Sequence, residues 1–161
     1  MAKKAQVGDI APDFTLPGIT VTGDEAERRD FVLSAERGHP VVLVFYPGDE
    51  TSVCTAQLCS YQSELGAFSE LGATVWGISL QDVDSHEHFA RKERLSFPLL
   101  ADTGGAVVDA YGVGMPGLGL RRSVFIIDAD AVIRWKHVAL VGATFRSADE
   151  IRSQLELLPT P

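Results

Sequence analysis

The chain has few cysteines and no long hydrophobic run. Only two of its 161 residues are cysteine, and its longest apolar run, residues 40–45, is far shorter than the roughly 20 residues that a membrane-spanning helix needs. The N-terminal residues MAKKAQVGD are not followed by an apolar segment, so no secretory signal is predicted. We therefore expect a cytoplasmic protein with no membrane partner. In that compartment, two cysteines are more often catalytic or redox-active than structural.

Positive charge is also scarce. The chain has 14 lysines and arginines against 22 aspartates and glutamates, a formal net charge of −8, and no basic cluster stands out. Nucleic acid and anionic membranes are poor partners for such a surface, whereas a neutral substrate is not hindered by it. The sequence contains no repeat, low-complexity segment or long linker, and 45% of its residues are hydrophobic. It therefore predicts one globular domain over residues 1–161.

The central part of the sequence predicts a strand, a helix and a second strand. PVVLVFY (40–46) is apolar throughout, as in a strand buried on both faces, and ATVWGISL (73–80) has the same character. Between them, over residues 53–71, apolar residues recur at steps of three and four, which is typical of an amphipathic helix. Such a strand–helix–strand unit predicts two parallel neighbouring strands.

Shorter elements are predicted on both sides of this unit. After an irregular arm (1–12), DFTL (13–16) and DFVL (30–33) predict two short strands. Further along, the patterns predict a helix over 84–95 with Asp84 as its N-cap, a strand over 97–102, and one or two helical turns within 104–113. An antiparallel hairpin of 123–128 with 131–138 follows. A capping box of Ser147 and Glu150 predicts the start of a last helix. This order predicts an α/β thioredoxin fold, with a mixed central β-sheet flanked by helices.

The two cysteines lie five residues apart in TSVCTAQLC (51–59), a spacing that fits neither a C-x-x-C redox pair nor a common zinc site. The preceding turn follows the carboxyl end of a central strand, where α/β proteins place their sites. With Thr51 or Ser52 as N-cap, Cys54 falls in the first helical turn, where free backbone N–H groups and the helix dipole favour an anion. The thiolate is the nucleophilic form of cysteine. We therefore interpret Cys54 as a reactive thiol rather than a small buried hydrophobic residue.

The residues around the cysteines form a recognisable motif. Pro47, Thr51 and Cys54 are spaced as P-x-x-x-T-x-x-C, and Cys54 and Cys59 as C-T-x-x-x-C. With these motifs the chain resembles the peroxiredoxins, in particular the bacterioferritin comigratory protein or peroxiredoxin Q group. The likeness continues through APDFTL, FPLLAD, YGV and RSVFIID. The resemblance implies a thioredoxin fold of the peroxiredoxin type.

The resemblance also implies a role for each residue of the motif. Cys54 would be the peroxidatic cysteine, which attacks the peroxide O–O bond and becomes a sulfenic acid. Thr51 would relay a hydrogen bond among the sulfur and the peroxide oxygens, and Pro47 would shield the thiolate from water. The arginine of the family aligns with Arg122 in LRRSVFIID, and Arg121 is the alternative. A guanidinium supplies a fixed fork of donors and a permanent positive charge.

The resemblance further implies that Cys59 resolves the sulfenic acid by forming a disulfide with Cys54. On an ideal helix, Cα atoms five residues apart are roughly 8.7 Å from each other, beyond the distance of about 7 Å that a disulfide can bridge. If the two cysteines do pair, the first one or two turns of the helix have to unwind. Function would then depend on marginal local stability.

The combined interpretation is a thiol-dependent peroxidase with an atypical 2-Cys mechanism. It would reduce hydrogen peroxide or small organic hydroperoxides and be recycled by thioredoxin or a similar thiol reductant. No metal, haem or flavin cofactor is implied, and the chain would act as a monomer or a weak homodimer. Two alternatives use the same fold: a redox sensor that passes oxidation to a partner through the same cysteines, and a non-catalytic thioredoxin-like binding module.

Other polar and glycine-rich features receive plainer interpretations. His86 and His88 are two residues apart on a predicted helix and do not face the same way, so we predict solvated histidines rather than metal ligands. Gln57 is either a helix-surface residue or a polar member of the site. GVGMPGLGL (112–120) lacks the lysine of a phosphate-binding loop. It is predicted to be a plain loop, with an apolar, mobile collar beside the site or part of a dimer contact as the alternatives.

Overall fold

A seven-stranded mixed β-sheet forms the centre of the protein. The computed structural model describes residues 5–139 and 145–159, so the first four residues of the predicted N-terminal arm lie outside the described part. The strands follow the order β2-β1-β5-β4-β3-β8-β9 across the sheet. Their bounds are β1 Thr15–Thr22, β2 Glu25–Val32, β3 Val41–Phe45, β4 Thr74–Ser79, β5 Leu99–Ala101, β8 Ser123–Ile127 and β9 Ile133–Val138. A separate two-stranded ribbon consists of β6 Gly114–Met115 and β7 Gly119–Leu120.

The central strands are buried on both faces, as their continuous apolar sequence predicts. All five residues of β3 are buried, and β3 runs parallel to β4, with Val42 opposite Val75. β4 is also parallel to β5, whereas β8 pairs with β3 in the antiparallel direction. The predicted strand–helix–strand unit and the hairpin of β8 with β9 are therefore confirmed.

In the part of the chain that the structure describes, five α-helices lie on the two faces of the sheet: α1 Ser52–Ser63, α2 Leu65–Glu70, α3 Val83–Glu93, α4 Ala106–Ala110 and α5 Ala148–Glu156. A short 3-10 helix, Leu33–Glu36, follows β2. Buried residues of α1, α2, α3 and α5 share one hydrophobic cluster with Val42 and Val44, while those of α4 share the other with Leu43 and Phe45. Successive strand residues thus pack against opposite layers, as the period of two in a strand requires. The predicted mixed sheet flanked by helices is confirmed. Within the described residues, none of the helices has the length and apolarity needed to cross a membrane.

Two helix boundaries differ from the prediction. The helix predicted over 53–71 is divided at Glu64, whose backbone leaves the helical conformation (φ −105°, ψ 10°) shortly before Gly66, a residue of low helix propensity. The next helix is capped by Asp82, whose carboxylate accepts the backbone N–H of Ser85 (2.8 Å), and not by Asp84. Asp84 instead forms an ion pair with Arg28 of β2 (2.6 Å).

The segment before β3 is more regular than its sequence indicates. The two short strands predicted over 13–16 and 30–33 overlap a longer hairpin, in which β1 and β2 have eight residues each and the turn contains Gly23 with φ 62°. Most residues of β2 are exposed and charged, so the apolar pattern of a strand is missing there. The glycine-rich segment predicted to be a plain loop contains the β6–β7 ribbon.

Candidate active site

Cys54 lies at the start of α1, which follows the carboxyl end of β3 in the sequence. The chain passes from Phe45 through the loop of residues 47–51 and enters the helix with Thr51 as the N-cap residue. The carbonyl of Thr51 accepts the backbone N–H of Thr55 (2.9 Å), which begins the helical hydrogen bonding. Cys54 is the third helical residue, and its side chain is fully buried. The sulfur therefore lies where the helix terminus favours a negative charge.

Arg122 places a guanidinium against this sulfur. Because β8 is antiparallel to β3, with Ser123 opposite Phe45, the residue before β8 comes next to the end of β3. Arg122 Nη2 lies 3.3 Å from Cys54 Sγ, and only 4% of the arginine is exposed. The neighbouring Arg121 is only half-buried, and its backbone N–H donates to the carbonyl of Val113 (2.7 Å). The arginine in contact with the sulfur is thus the one that the sequence alignment selects.

Gln57 and Tyr61 of α1 form a chain of hydrogen bonds that begins at the arginine. Arg122 Nη1 donates to Gln57 Oε1 (2.6 Å), and Gln57 Nε2 donates to the hydroxyl of Tyr61 (3.1 Å). The tyrosine hydroxyl in turn donates to the carbonyl of Arg146 (2.6 Å). Burial raises the pKa of Tyr61 to about 12, so the phenol keeps its proton at neutral pH. Gln57, left open by the sequence, is fully buried, and it fixes the orientation of the guanidinium.

Thr51 and Pro47 lie in the loop before the helix. The hydroxyl of Thr51 does not cap the helix; it donates to the carbonyl of Gly48 (3.1 Å), so its lone pairs remain available as acceptors. Pro47 is half-buried, and its carbonyl lies 3.5 Å from Gln81 Nε2. Thr51 is exposed, so this side of the loop is open to a small substrate.

Cys59 is half-buried further along α1 and faces α3. Both cysteines are free thiols, and α1 is continuous from Ser52 to Ser63, so the structure represents the dithiol state. Cys59 Sγ donates to Glu93 Oε2 (3.7 Å). Burial raises the pKa of the Cys59 thiol, and the negative charge of Glu93 and its hydrogen bond raise it further. In this state the second thiol is held in its protonated form.

A buried pair of Asp49 and His86 lies beside the same loop and was missed at the sequence level. His86 is fully buried, with Nδ1 2.8 Å from Asp49 Oδ2, so the prediction of a solvated histidine is wrong for it. His88 is 69% exposed, as predicted. One signal was available: His86 precedes Phe89 and Ala90 by three and four residues, which places it on the apolar face of α3. Within residues 5–139 and 145–159, no group of three or more His, Cys, Asp or Glu side chains is arranged to hold a metal ion.

Comparisons with known proteins agree with this geometry. The model of the AhpC/TSA family matches residues 7–136 of the chain. A chloroplastic peroxiredoxin Q of Triticum aestivum is 37% identical over 134 residues, which cover 82% of this chain and 58% of the wheat protein. A chloroplastic peroxiredoxin Q of Populus jackii is 36% identical over 157 residues, 96% of this chain and 68% of the poplar protein. The chain thus spans less than two thirds of the length of the wheat relative.

Solved structures show the same fold. A reduced 2-Cys peroxiredoxin of Plasmodium vivax superposes with a TM-score of 0.86 at 25% identity, covering 93% of this chain and 80% of that one. AhpC of Mycobacterium bovis superposes with a TM-score of 0.85 at 22% identity, covering 96% and 92% of the two chains. These similarities confirm the predicted thioredoxin fold of the peroxiredoxin type.

Proposed function

Because the chain belongs to the AhpC/TSA family, with peroxiredoxins among its relatives, we propose that it is a thiol-dependent peroxidase. Its substrates are hydrogen peroxide and small organic hydroperoxides. The observation that carries the proposal is the contact of the Arg122 guanidinium with the buried sulfur of Cys54 at the start of α1 (3.3 Å). Two independent sources of positive potential, the helix terminus and the guanidinium, favour the thiolate at this one atom.

In the first step, the Cys54 thiolate attacks one oxygen of the peroxide. The S–O bond forms as the O–O bond breaks, the sulfur becomes a sulfenic acid, and the leaving oxygen takes up a proton to give water or an alcohol. Negative charge spreads over two oxygens in the transition state, and donors already aimed at that charge lower the barrier. Arg122 is fixed by Gln57 (2.6 Å), so its guanidinium does not have to reorganise during the reaction.

Thr51 and Pro47 complete the site from the loop side. Since the Thr51 hydroxyl donates its own proton to Gly48, it accepts a hydrogen bond from the protonated oxygen of the peroxide. Pro47 covers the sulfur from bulk water. Together with Arg122, these residues hold the peroxide in line with the thiolate, which is the geometric requirement for a displacement at oxygen.

In the second step, Cys59 attacks the sulfenic sulfur of Cys54; a disulfide forms and water leaves. In the continuous helix the Cα atoms of residues five apart are roughly 8.7 Å from each other, too far for a disulfide, so the start of α1 unwinds first. The disulfide is then reduced by a dithiol protein of the thioredoxin type, through thiol–disulfide exchange. We place this cycle in the cytoplasm, in a single-domain chain that is a monomer or a weak homodimer.

A turnover assay tests the proposal. NADPH consumption is followed with hydrogen peroxide, thioredoxin and thioredoxin reductase, for the wild-type chain, Cys54→Ser and Cys59→Ser. The wild type should turn over continuously, Cys54→Ser should be inactive, and Cys59→Ser should form a sulfenic acid without thioredoxin-dependent turnover. A wild-type protein that oxidises once but does not turn over would instead favour a redox sensor. A thiol that does not react with peroxide would favour a binding module.

A further inference from the structure

The active-site loop, residues 47–51, is held by the segment that leads from β4 into α3. The backbone N–H of Asp49 donates to Gln81 Oε1 (3.2 Å), and Gln81 Nε2 donates to the carbonyl of Pro47 (3.5 Å). Ser79, the last residue of β4, donates its hydroxyl to the same Gln81 oxygen (2.6 Å). The loop is therefore fixed from outside α1, the helix that unwinds in the proposed cycle.

The carboxylate of Asp49 receives three side-chain hydrogen bonds. Tyr46 donates its hydroxyl to Oδ1 (2.7 Å), while the Ser85 hydroxyl (2.7 Å) and His86 Nδ1 (2.8 Å) lie against Oδ2. Burial alone would raise the pKa of Asp49, but the bonds and charge of His86, followed by the bonds of Ser85 and Tyr46, lower it below its usual range. The carboxylate is thus ionised and only accepts hydrogen bonds.

Both ring nitrogens of His86 lie close to oxygen atoms that accept hydrogen bonds. Its Nε2 lies 2.9 Å from the carbonyl of Leu100, and its Nδ1 lies 2.8 Å from Asp49 Oδ2. The hydroxyl of Tyr46 lies 3.3 Å from Nδ1, and burial raises the pKa of this phenol, so its proton remains available for Asp49. Asp49 and His86 therefore form a buried hydrogen-bonded pair between the loop and α3.

This pair is connected to the Thr51 hydroxyl through one peptide unit. The carbonyl of Gly48 and the N–H of Asp49 belong to the same planar peptide. One end of that peptide accepts the hydroxyl of Thr51 (3.1 Å), and the other donates to Gln81 (3.2 Å). A displaced Asp49 side chain would rotate this peptide and, with it, the hydroxyl that faces the substrate.

We propose that His86 is a positioning residue of the peroxidase site, which through Asp49 fixes the loop peptide that orients Thr51 for the peroxide. The inference rests on the proposed function and adds a residue that does not touch the substrate. It makes a specific distinction: losing His86 should impair the reaction with peroxide, which needs the oriented hydroxyl, much more than a reaction of Cys54 that does not need it.

Two rates measured on reduced protein test this distinction in His86→Gln and Asp49→Asn. One is the rate of Cys54 oxidation by hydrogen peroxide, and the other is its alkylation by chloroacetamide. The peroxide rate should fall roughly tenfold or more in both variants, because small displacements of positioned groups cost large factors in rate. The alkylation rate should change by less than about threefold. Combining the two substitutions should add less than about twofold to the loss, because they break the same pair.

His88→Gln is the matched control, since His88 lies on the same helix and faces the same loop but is 69% exposed and paired with the exposed Glu50 (3.4 Å). Its peroxide rate should stay within about twofold of the wild type. A folded His86→Gln protein with the wild-type peroxide rate would overturn the inference, and so would equal losses in both reactions. If wild-type protein itself does not react with peroxide, the proposed function fails instead.

Nitrogen-15 NMR of the His86 ring tests the contact with Asp49 independently of activity. The Nδ1 signal of the reduced wild-type protein should change in Asp49→Asn, because Nδ1 lies 2.8 Å from the Asp49 carboxylate. Identical His86 ring signals in the two proteins would overturn the inference even if the variants are slow.

Discussion

Cys59 on α1 and Glu93 on α3 face each other, with the thiol sulfur 3.7 Å from the carboxylate oxygen. Burial and the charge of Glu93 raise the pKa of this thiol while α1 is intact. The Cys59 thiol binds its proton more tightly when α1 is intact than when it is unwound. Low pH therefore favours the intact helix. This preference is lost as the pH rises from the ordinary thiol value towards the raised pKa. In the proposed cycle, rising pH should therefore promote the unwound state in which Cys59 reacts.

Replacement of Glu93 by glutamine should move this pH dependence. In the wild type, disulfide formation after oxidation by peroxide should accelerate with pH up to the raised pKa of Cys59. In Glu93→Gln the acceleration should level off at a lower pH, because the carboxylate no longer opposes the thiolate. Stopped-flow kinetics over a pH series would measure the rate of disulfide formation. Glu70→Gln, at an exposed position on α2, serves as the control. Identical profiles for Glu93→Gln and wild type would rule out this coupling.

The oxidised protein should contain less helix than the reduced protein. α1 has 12 residues in the dithiol state, and the two cysteines cannot bond within it, so the first one or two turns are lost when the disulfide forms. Far-UV circular dichroism of both redox states, with the disulfide verified by mass spectrometry, would show the loss. Superimposable spectra with a verified bond between the two cysteines would count against unwinding.

The acid stability of the fold should depend on Asp49. Its folded-state pKa is lowered, so the stabilisation is present above the unfolded value of about 3.9 and disappears as the pH falls through the folded pKa. Urea unfolding of the wild type should therefore show a loss of stability at acidic pH that is smaller in Asp49→Asn. Equal pH dependence in the two proteins would show that Asp49 does not contribute.

Replacement of Gln57 by leucine should weaken both the fold and the reaction. The substitution removes the acceptor of Arg122 Nη1 and the donor to Tyr61 within a fully buried region. The loss of these two hydrogen bonds in a buried region should lower the free energy of unfolding by about 1–3 kcal/mol. Urea unfolding would measure the loss of stability, and the oxidation rate of Cys54 the loss of reactivity. A leucine variant as stable and as fast as the wild type would show that Gln57 does not fix the arginine.

The sequence predicts the central fold and the position of the Cys54 sulfur because both depend on local patterns. Buried parallel strands are continuous apolar runs, and a thiol three residues after an N-cap lies in a first helical turn whatever surrounds it. The antiparallel pairing of β8 with β3 then brings Arg122 to the same edge of the sheet.

The missed features depend on contacts between distant parts of the chain. Asp49 and His86 are 37 residues apart, and each is an ordinary surface residue type until the fold buries them together. The same holds for β2, which is exposed and charged and forms a strand only because β1 pairs with it along its whole length. The spacing of His86 from Phe89 and Ala90 indicates that it is buried but not which residue it pairs with, and β2 has no alternating apolar pattern.

The contact between Arg122 and Cys54 is tested most directly by the rate at which reduced Cys54 reacts with hydrogen peroxide in Arg122→Lys. Arg121→Lys serves as the matched control, and circular dichroism verifies folding of both variants. Lysine keeps the charge but not the fork of donors, so the Arg122 variant should react about 10²–10³ times more slowly than the wild type. The Arg121 variant should react at close to the wild-type rate. A folded Arg122→Lys protein that reacts as fast as the wild type would contradict the assignment of this site.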